Sequence, residues 1–107
     1  MPSQLGIKIN ELRRARGLTL EQLAQVTGSS KSYMWEIENK DVARPSAEKL
    51  DKIAGALGVT AGFLIDASQT KPTEEVEDTA FFHRFQKADP RVKNQLKRIF
   101  DALDDDD

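Results

Sequence analysis

Two short amphipathic stretches meeting at a glycine, between Thr19 and Asn39, constrain this chain more than any other feature. Thr19 fits the N-cap of the first stretch, and Gln22 three residues later completes a capping box. Leu20, Leu23, Ala24 and Val26 supply its apolar set, which stops at Thr27-Gly28. A glycine there gives the turn its positive φ at no steric cost. Ser29 or Ser30 then caps a second stretch that runs to about Asn39, with Met34 and Ile37 directed inward. Ala24 is small enough for that helix to cross it at close range. The sequence thus predicts two helices joined by a tight turn, a helix-turn-helix unit.

The flanking sequence predicts more helices. Leu5, Ile9 and Leu12 make one stripe over residues 4–16, closed by Gly17. Ser46 caps a helix carrying Leu50, Ile53, Ala54 and Leu57, and Gly58 closes it. Thr60 caps a short helix carrying Phe63, Leu64 and Ile65. Residues 67–78 are polar and acidic, with a proline, and read as a linker between a domain at 1–66 and a segment at 79–107. A helical pattern resumes at Phe81, Phe82 and Phe85. Asp89-Pro90 then starts a last helix, proline being favoured at a first helical position. Nothing alternates as a strand does, so the expected fold is all-α.

Composition removes whole classes of chemistry. The chain has no cysteine and one histidine, His83, so thiolate metal sites, cysteine nucleophiles and multi-histidine metal sites are excluded. No nucleophile–base–orienter set can be assembled from His83 and the serines, so neither an enzyme nor a cofactor is expected. No stretch approaches the roughly 20 apolar residues of a membrane helix, and Met-Pro-Ser-Gln-Leu-Gly has no apolar signal core, so a cytoplasmic protein without a membrane partner is expected. The net charge of −2 divides unevenly: residues 1–66 carry +1 and residues 67–107 carry −3, with Asp104–Asp107 supplying more than that deficit. Local surface charge is therefore the better guide to partners.

The run Leu18-Thr19-Leu20-Glu21-Gln22-Leu23-Ala24, then Gly28-Ser29-Ser30-Lys31-Ser32-Tyr33-Met34, then Ile37-Glu38-Asn39, resembles the Xre/Cro phage-repressor family of DNA-binding proteins. Arg44-Pro45-Ser46 and Leu50, Ile53-Ala54 and Leu57-Gly58-Val59 continue the match across roughly residues 5–66. The resemblance implies a five-helix, lambda-repressor-like domain whose third helix enters the major groove of double-stranded DNA. With Met34 and Ile37 inward, Lys31, Ser32, Trp35, Glu36 and Asn39 face outward. Lys31 can donate to guanine O6 or N7, Glu36 can accept from a cytosine amino group, and Ser32 can do either. Outside this motif, the same residues would be an ordinary solvated helix face.

The resemblance also places phosphate contacts beside the groove. Thr19 caps the helix whose N-terminus points outward, and Lys40 and Arg44 lie in the loop after the recognition helix. Tyr33 can reach a phosphate or lie as a core ring with a wet hydroxyl. With Ser30 at the helix start, the expected DNA-facing set is Thr19, Ser30, Lys31, Ser32, Tyr33, Trp35, Glu36, Asn39, Lys40 and Arg44. Arg13 and Glu38 match a family ion pair between the first and third helices, a scaffold role. Two departures stand out: Leu20 where the family often has a phosphate-binding glutamine, and Trp35 where it usually has a small polar residue. Trp35 can meet a sugar or a thymine methyl, or pack on a neighbouring helix or a dimer partner.

Val92, Leu96, Ile99 and Leu103 step by 4, 3 and 4, which is seam spacing. With Phe81, Phe82, Phe85 and Phe100 they form more apolar surface than two short helices can hide alone, and a homodimer interface is expected there. His83, beside the phenylalanines, reads as a partly buried helix residue rather than a pH switch. The acidic tail reads as a solvated terminus. The expected function is a transcriptional regulator, a repressor on a palindromic operator. The alternative is an antitoxin-like module whose C-terminal helices hold a protein partner while its DNA binding serves autoregulation.

Overall fold

The computed structural model describes residues 2–104. Among them are seven helices and no strand: α1 (Gln4–Ala15), α2 (Leu20–Val26), α3 (Lys31–Asn39), α4 (Ala47–Leu57), α5 (Ala61–Ile65), α6 (Glu74–Lys87) and α7 (Pro90–Asp104). Side-chain hydroxyls open six of them. Ser3, Thr19, Ser30, Ser46, Thr60 and Thr73 each accept a backbone N–H three residues on, which satisfies a donor the first turn would leave orphaned. Asp89 Oδ1 accepts the Arg91 N–H at 2.8 Å at the start of α7. Asp105, Asp106 and Asp107, most of the acidic tail, lie outside the described residues.

One core joins α1 to α5. Ile9, Leu23, Met34, Ile37, Ile53, Leu57 and Leu64 are fully or almost fully buried in it. Val26 is not part of this core. It is 62% exposed, because the stripe of a seven-residue helix admits only Leu23 and Ala24 to full burial. Ile65 likewise ends α5 exposed.

Helix α1 meets α3 through Gly6. A Cβ at Gly6 would run into the backbone carbonyl of Ile37 and crowd that of Glu38. Backbone atoms cannot rotate away as a side-chain tip can, so the two helices would have to part. Gly6→Ala is expected to cost about 3 kcal/mol, the upper end of the usual overpacking range. The fall in Tm would be roughly 12–24 °C for a domain of this size. Gly55, also helical, has nothing near its absent Cβ, so Gly55→Ala should be neutral or stabilising. Thermal unfolding followed by circular dichroism compares them, and similar Tm values for the two variants would refute the close approach at Gly6.

Lys8 sits between Leu5, Ile9 and Leu12 on the inward stripe of α1 and is buried. Its ammonium donates to the Phe63 and Asp66 carbonyls at 2.6 and 2.7 Å and lies 4.3 Å from the Phe63 ring centroid. It thereby closes the C-terminal end of α5. Burial holds the Lys8 pKa below its ordinary value, against the opposing pull of the Asp66 carboxylate.

Helix α6 begins at Glu74, ahead of the phenylalanines, so the last part of the acidic stretch is helical. Thr73 caps it, and Glu74, Glu75 and Glu77 occupy its first turn, where negative charge suits the helix dipole. Val76 packs against the core and Ala80 is buried. Lys87 stands 3.9 Å from Asp51 of α4, an exposed pair. Helix α7 buries none of its residues.

Candidate nucleic-acid interface

The turn between α2 and α3 is held from three sides. Gly28 adopts φ +66°. The Ser29 N–H donates to the Ala24 carbonyl at 2.8 Å, and the buried Thr27 hydroxyl donates to the Leu23 carbonyl at 2.8 Å. Lys49 reaches across from α4 and donates to the Thr27 carbonyl at 2.8 Å. At the head of α2 the capping box is complete: Gln22 N–H donates to Thr19 Oγ1 at 3.0 Å and Thr19 N–H to Gln22 Oε1 at 2.8 Å.

Helix α3 turns Met34, Ile37 and Glu38 inward and is anchored to α1 by charge. The Arg13 guanidinium donates through Nε to Glu38 Oε2 at 2.7 Å and through Nη2 to Oε1 at 3.0 Å. Asn10 Nδ2 donates to the same Oε1 at 2.7 Å, and Arg13 Nη1 to the Leu18 carbonyl at 2.8 Å. Gly6, Asn10 and Arg13 lie at i, i+4 and i+7, so one face of α1 supplies both the close approach and the donors. The spacing of Lys8 on the apolar stripe was a signal of burial that composition alone hides. Lys49 carries no comparable sequence signal.

The outward face of α3 brings together Lys31, Ser32, Trp35 and Asn39, all exposed, with Glu36 partly covered. Ser30 caps the helix by accepting the Tyr33 N–H at 3.1 Å, and Tyr33 is exposed rather than a core ring. Trp35 is 47% exposed and carries the Lys40 ammonium 5.6 Å from its ring centroid. Asn39 Nδ2 donates back to the Trp35 carbonyl at 2.9 Å, leaving its Oδ1 free to accept. Leu20, Lys31, Ser32, Trp35, Glu36 and Lys40 line one shallow notch between the start of α2 and α3. Arg44 stands apart from these, on a groove bordered by α1 and residues 64–70. Thr19 spends its oxygen on the capping box.

Among the described residues, no group of three or more His, Cys, Asp or Glu is placed to hold a metal ion. No helix among them is long and apolar enough to cross a membrane.

A family model described as a helix-turn-helix domain matches residues 4–63. The chain is 34% identical over 62 residues to the HTH-type transcriptional regulator SinR of Bacillus subtilis, covering 58% of this chain and 56% of that protein. A crystal structure of SinR in complex with DNA superposes with a TM-score of 0.55, covering 58% of this chain and 98% of that one. The immunity repressor protein of Bacillus phage phi105 is 34% identical over 73 residues, covering 68% of this chain and 50% of that protein. A SinR protein/SinI protein complex is 25% identical with a TM-score of 0.58, and that likeness covers 94% of both chains. The chain spans about half the length of the curated relatives it matches.

Proposed function

We infer, from the premise that this chain belongs to the Xre/Cro-like family of helix-turn-helix regulators, that it is a sequence-specific DNA-binding repressor acting as a homodimer on a palindromic operator. One observation carries this reading. The outward face of α3 presents donors and acceptors of mixed type on a helix whose cap, turn and underside are all fixed. Such a face suits base edges in the major groove. Among the described residues, neither Lys31 nor Lys40 is paired with a carboxylate, so both charges are free to meet guanine or phosphate. In this reading Lys31, Ser32, Glu36 and Asn39 read bases. Ser30, Tyr33, Lys40 and Arg44 hold the flanking backbone, with Thr19 at the head of α2. Repression requires only occupancy, so no catalytic group or cofactor is called for, and the protein works in the cytoplasm alongside DNA.

Selection from a random duplex pool at about 150 mM salt, where non-specific binding is partly suppressed, tests it. An inverted repeat with half-sites about 34 Å apart is the expected product. On that duplex Lys31→Ala should relax preference at one base pair, at about 1–3 kcal/mol. Lys40→Ala and Arg44→Ala should weaken binding to every sequence and lower the salt slope by about one each. If Lys31→Ala and Lys40→Ala behave identically on all duplexes, the division between base and phosphate contacts is wrong.

A second reading has one support, the likeness along nearly the whole chain to a regulator solved in complex with another protein. In it, α6 and α7 hold a different protein, antitoxin-like, and DNA binding serves autoregulation. The mass of the purified protein in solution separates the two: a dimer supports the first reading and a monomer the second.

A further inference from the structure

We propose that Leu20 and Trp35 form an apolar seat for the 5-methyl group of a thymine in the operator. The inference rests on the DNA-reading role above and deepens it. Leu20 begins α2 and Trp35 lies on the outward face of α3, yet the two line the same notch. The four other residues of that notch are Lys31, Ser32, Glu36 and Lys40, so its apolar floor is ringed by groups that can bond bases or phosphates. The thymine methyl is the apolar group that unmodified base pairs present in the major groove, and O4 beside it is an acceptor. A methyl seated between Leu20 and Trp35 would place that O4 toward the hydroxyl of Ser32 or the ammonium of Lys31. Lys40 lies over the Trp35 ring and holds the indole against the notch while keeping its own charge near the DNA backbone. Leu20 also packs against the core from the first turn of α2, so it is a fixed wall, and the seat gives a role to the half-exposed tryptophan on the reading face.

The test uses the full chain and the duplex enriched by selection, labelled for fluorescence anisotropy. Each thymine is replaced in turn by deoxyuridine, which removes the methyl and keeps every hydrogen-bonding group. One thymine per half-site is expected to lose about fourfold in affinity, the worth of one buried methyl. In Trp35→Ala and Leu20→Ala that discrimination should vanish, the thymine and deoxyuridine duplexes binding equally. Trp35 is half exposed, so its replacement leaves the fold intact even if Leu20→Ala does not fold. If every thymine tolerates deoxyuridine, or if Trp35→Ala discriminates as the unaltered protein does, the seat is overturned while the DNA-reading role stands. If no duplex is enriched at all, that role fails and the seat fails with it.

Discussion

Arg13→Met is expected to destabilise the domain by about 3–5 kcal/mol, the usual result of stripping one partner from a buried ion pair. The side chains of Arg13 and Glu38 are 12% and 1% exposed, so water cannot take over the solvation of the stranded carboxylate. Asn10 would keep one oxygen bonded, but the other would face the α1–α3 interface with no donor. The Leu18 carbonyl, which leads into α2, would lose its donor as well. A small domain holds only about 5–15 kcal/mol in total, so much of the variant would unfold at modest temperature. Pairing it with Glu38→Leu should recover most of the loss, since a buried ion pair is often replaceable by apolar residues of similar size. Urea unfolding followed by circular dichroism measures all three forms. A double variant no more stable than Arg13→Met would mean that the pair does more than satisfy its own charges, and a single variant within 1 kcal/mol of the parent would mean that Glu38 is solvated after all. Because Glu38 belongs to the helix whose far face carries Lys31, Trp35 and Glu36, loosening the pair also frees that face to rotate. DNA affinity should therefore fall even at temperatures where the variant remains folded.

That coupling marks the boundary of what could be read in the sequence. Capping signals are local, and they gave correct starts: Thr19 with Gln22, Ser46 and Thr60 each bond their own first turn, and Gly28 and Gly58 take positive φ. Between Ser29 and Ser30 the sequence is neutral, and the geometry selects Ser30. The inward set of α3 followed from period alone, and with it the outward one. What could not be read depends on how helices cross. Gly6 has no signature, because a helical glycine needs explaining only once another backbone lies against it. Leu20 and Trp35 are fifteen positions apart and share a notch only through the angle between α2 and α3. Val26 looks apolar enough for the core, but a helix of seven residues has too little face to bury it. The glutamates that open α6 read as linker by composition, yet acidic residues after a threonine are also what a helix start favours.

Leu96→Asp combined with Ile99→Asp is expected to convert the protein to a monomer and to weaken operator binding by about 10²–10⁴-fold, the usual advantage of joining two binding modules. No residue of α7 is fully buried: Val92, Ile99, Phe100 and Leu103 are 43%, 56%, 67% and 75% exposed, and Leu96 is partly covered. Phe81 and Phe82 on α6 add two more exposed rings, while Phe85 is half covered and lies 5.8 Å from the Lys93 ammonium of α7. So many exposed apolar side chains are rare on a monomer, and the proposed homodimer would cover the α7 stripe. Its 4, 3, 4 spacing suits the same face of a second copy, as an isologous dimer requires. Leu96 and Ile99 lie in the middle of that stripe, where a buried, unpaired carboxylate is most costly. Neither touches the core formed by α1 to α5, so the DNA-reading face should survive and bind one isolated half-site as before. Light scattering reports the mass, and anisotropy on full and half operators reports the affinity. A variant that stays dimeric would place the interface elsewhere on the chain. A monomer with undiminished affinity for the full operator would mean that the two half-sites are read independently, and the dimer would then have no part in specificity.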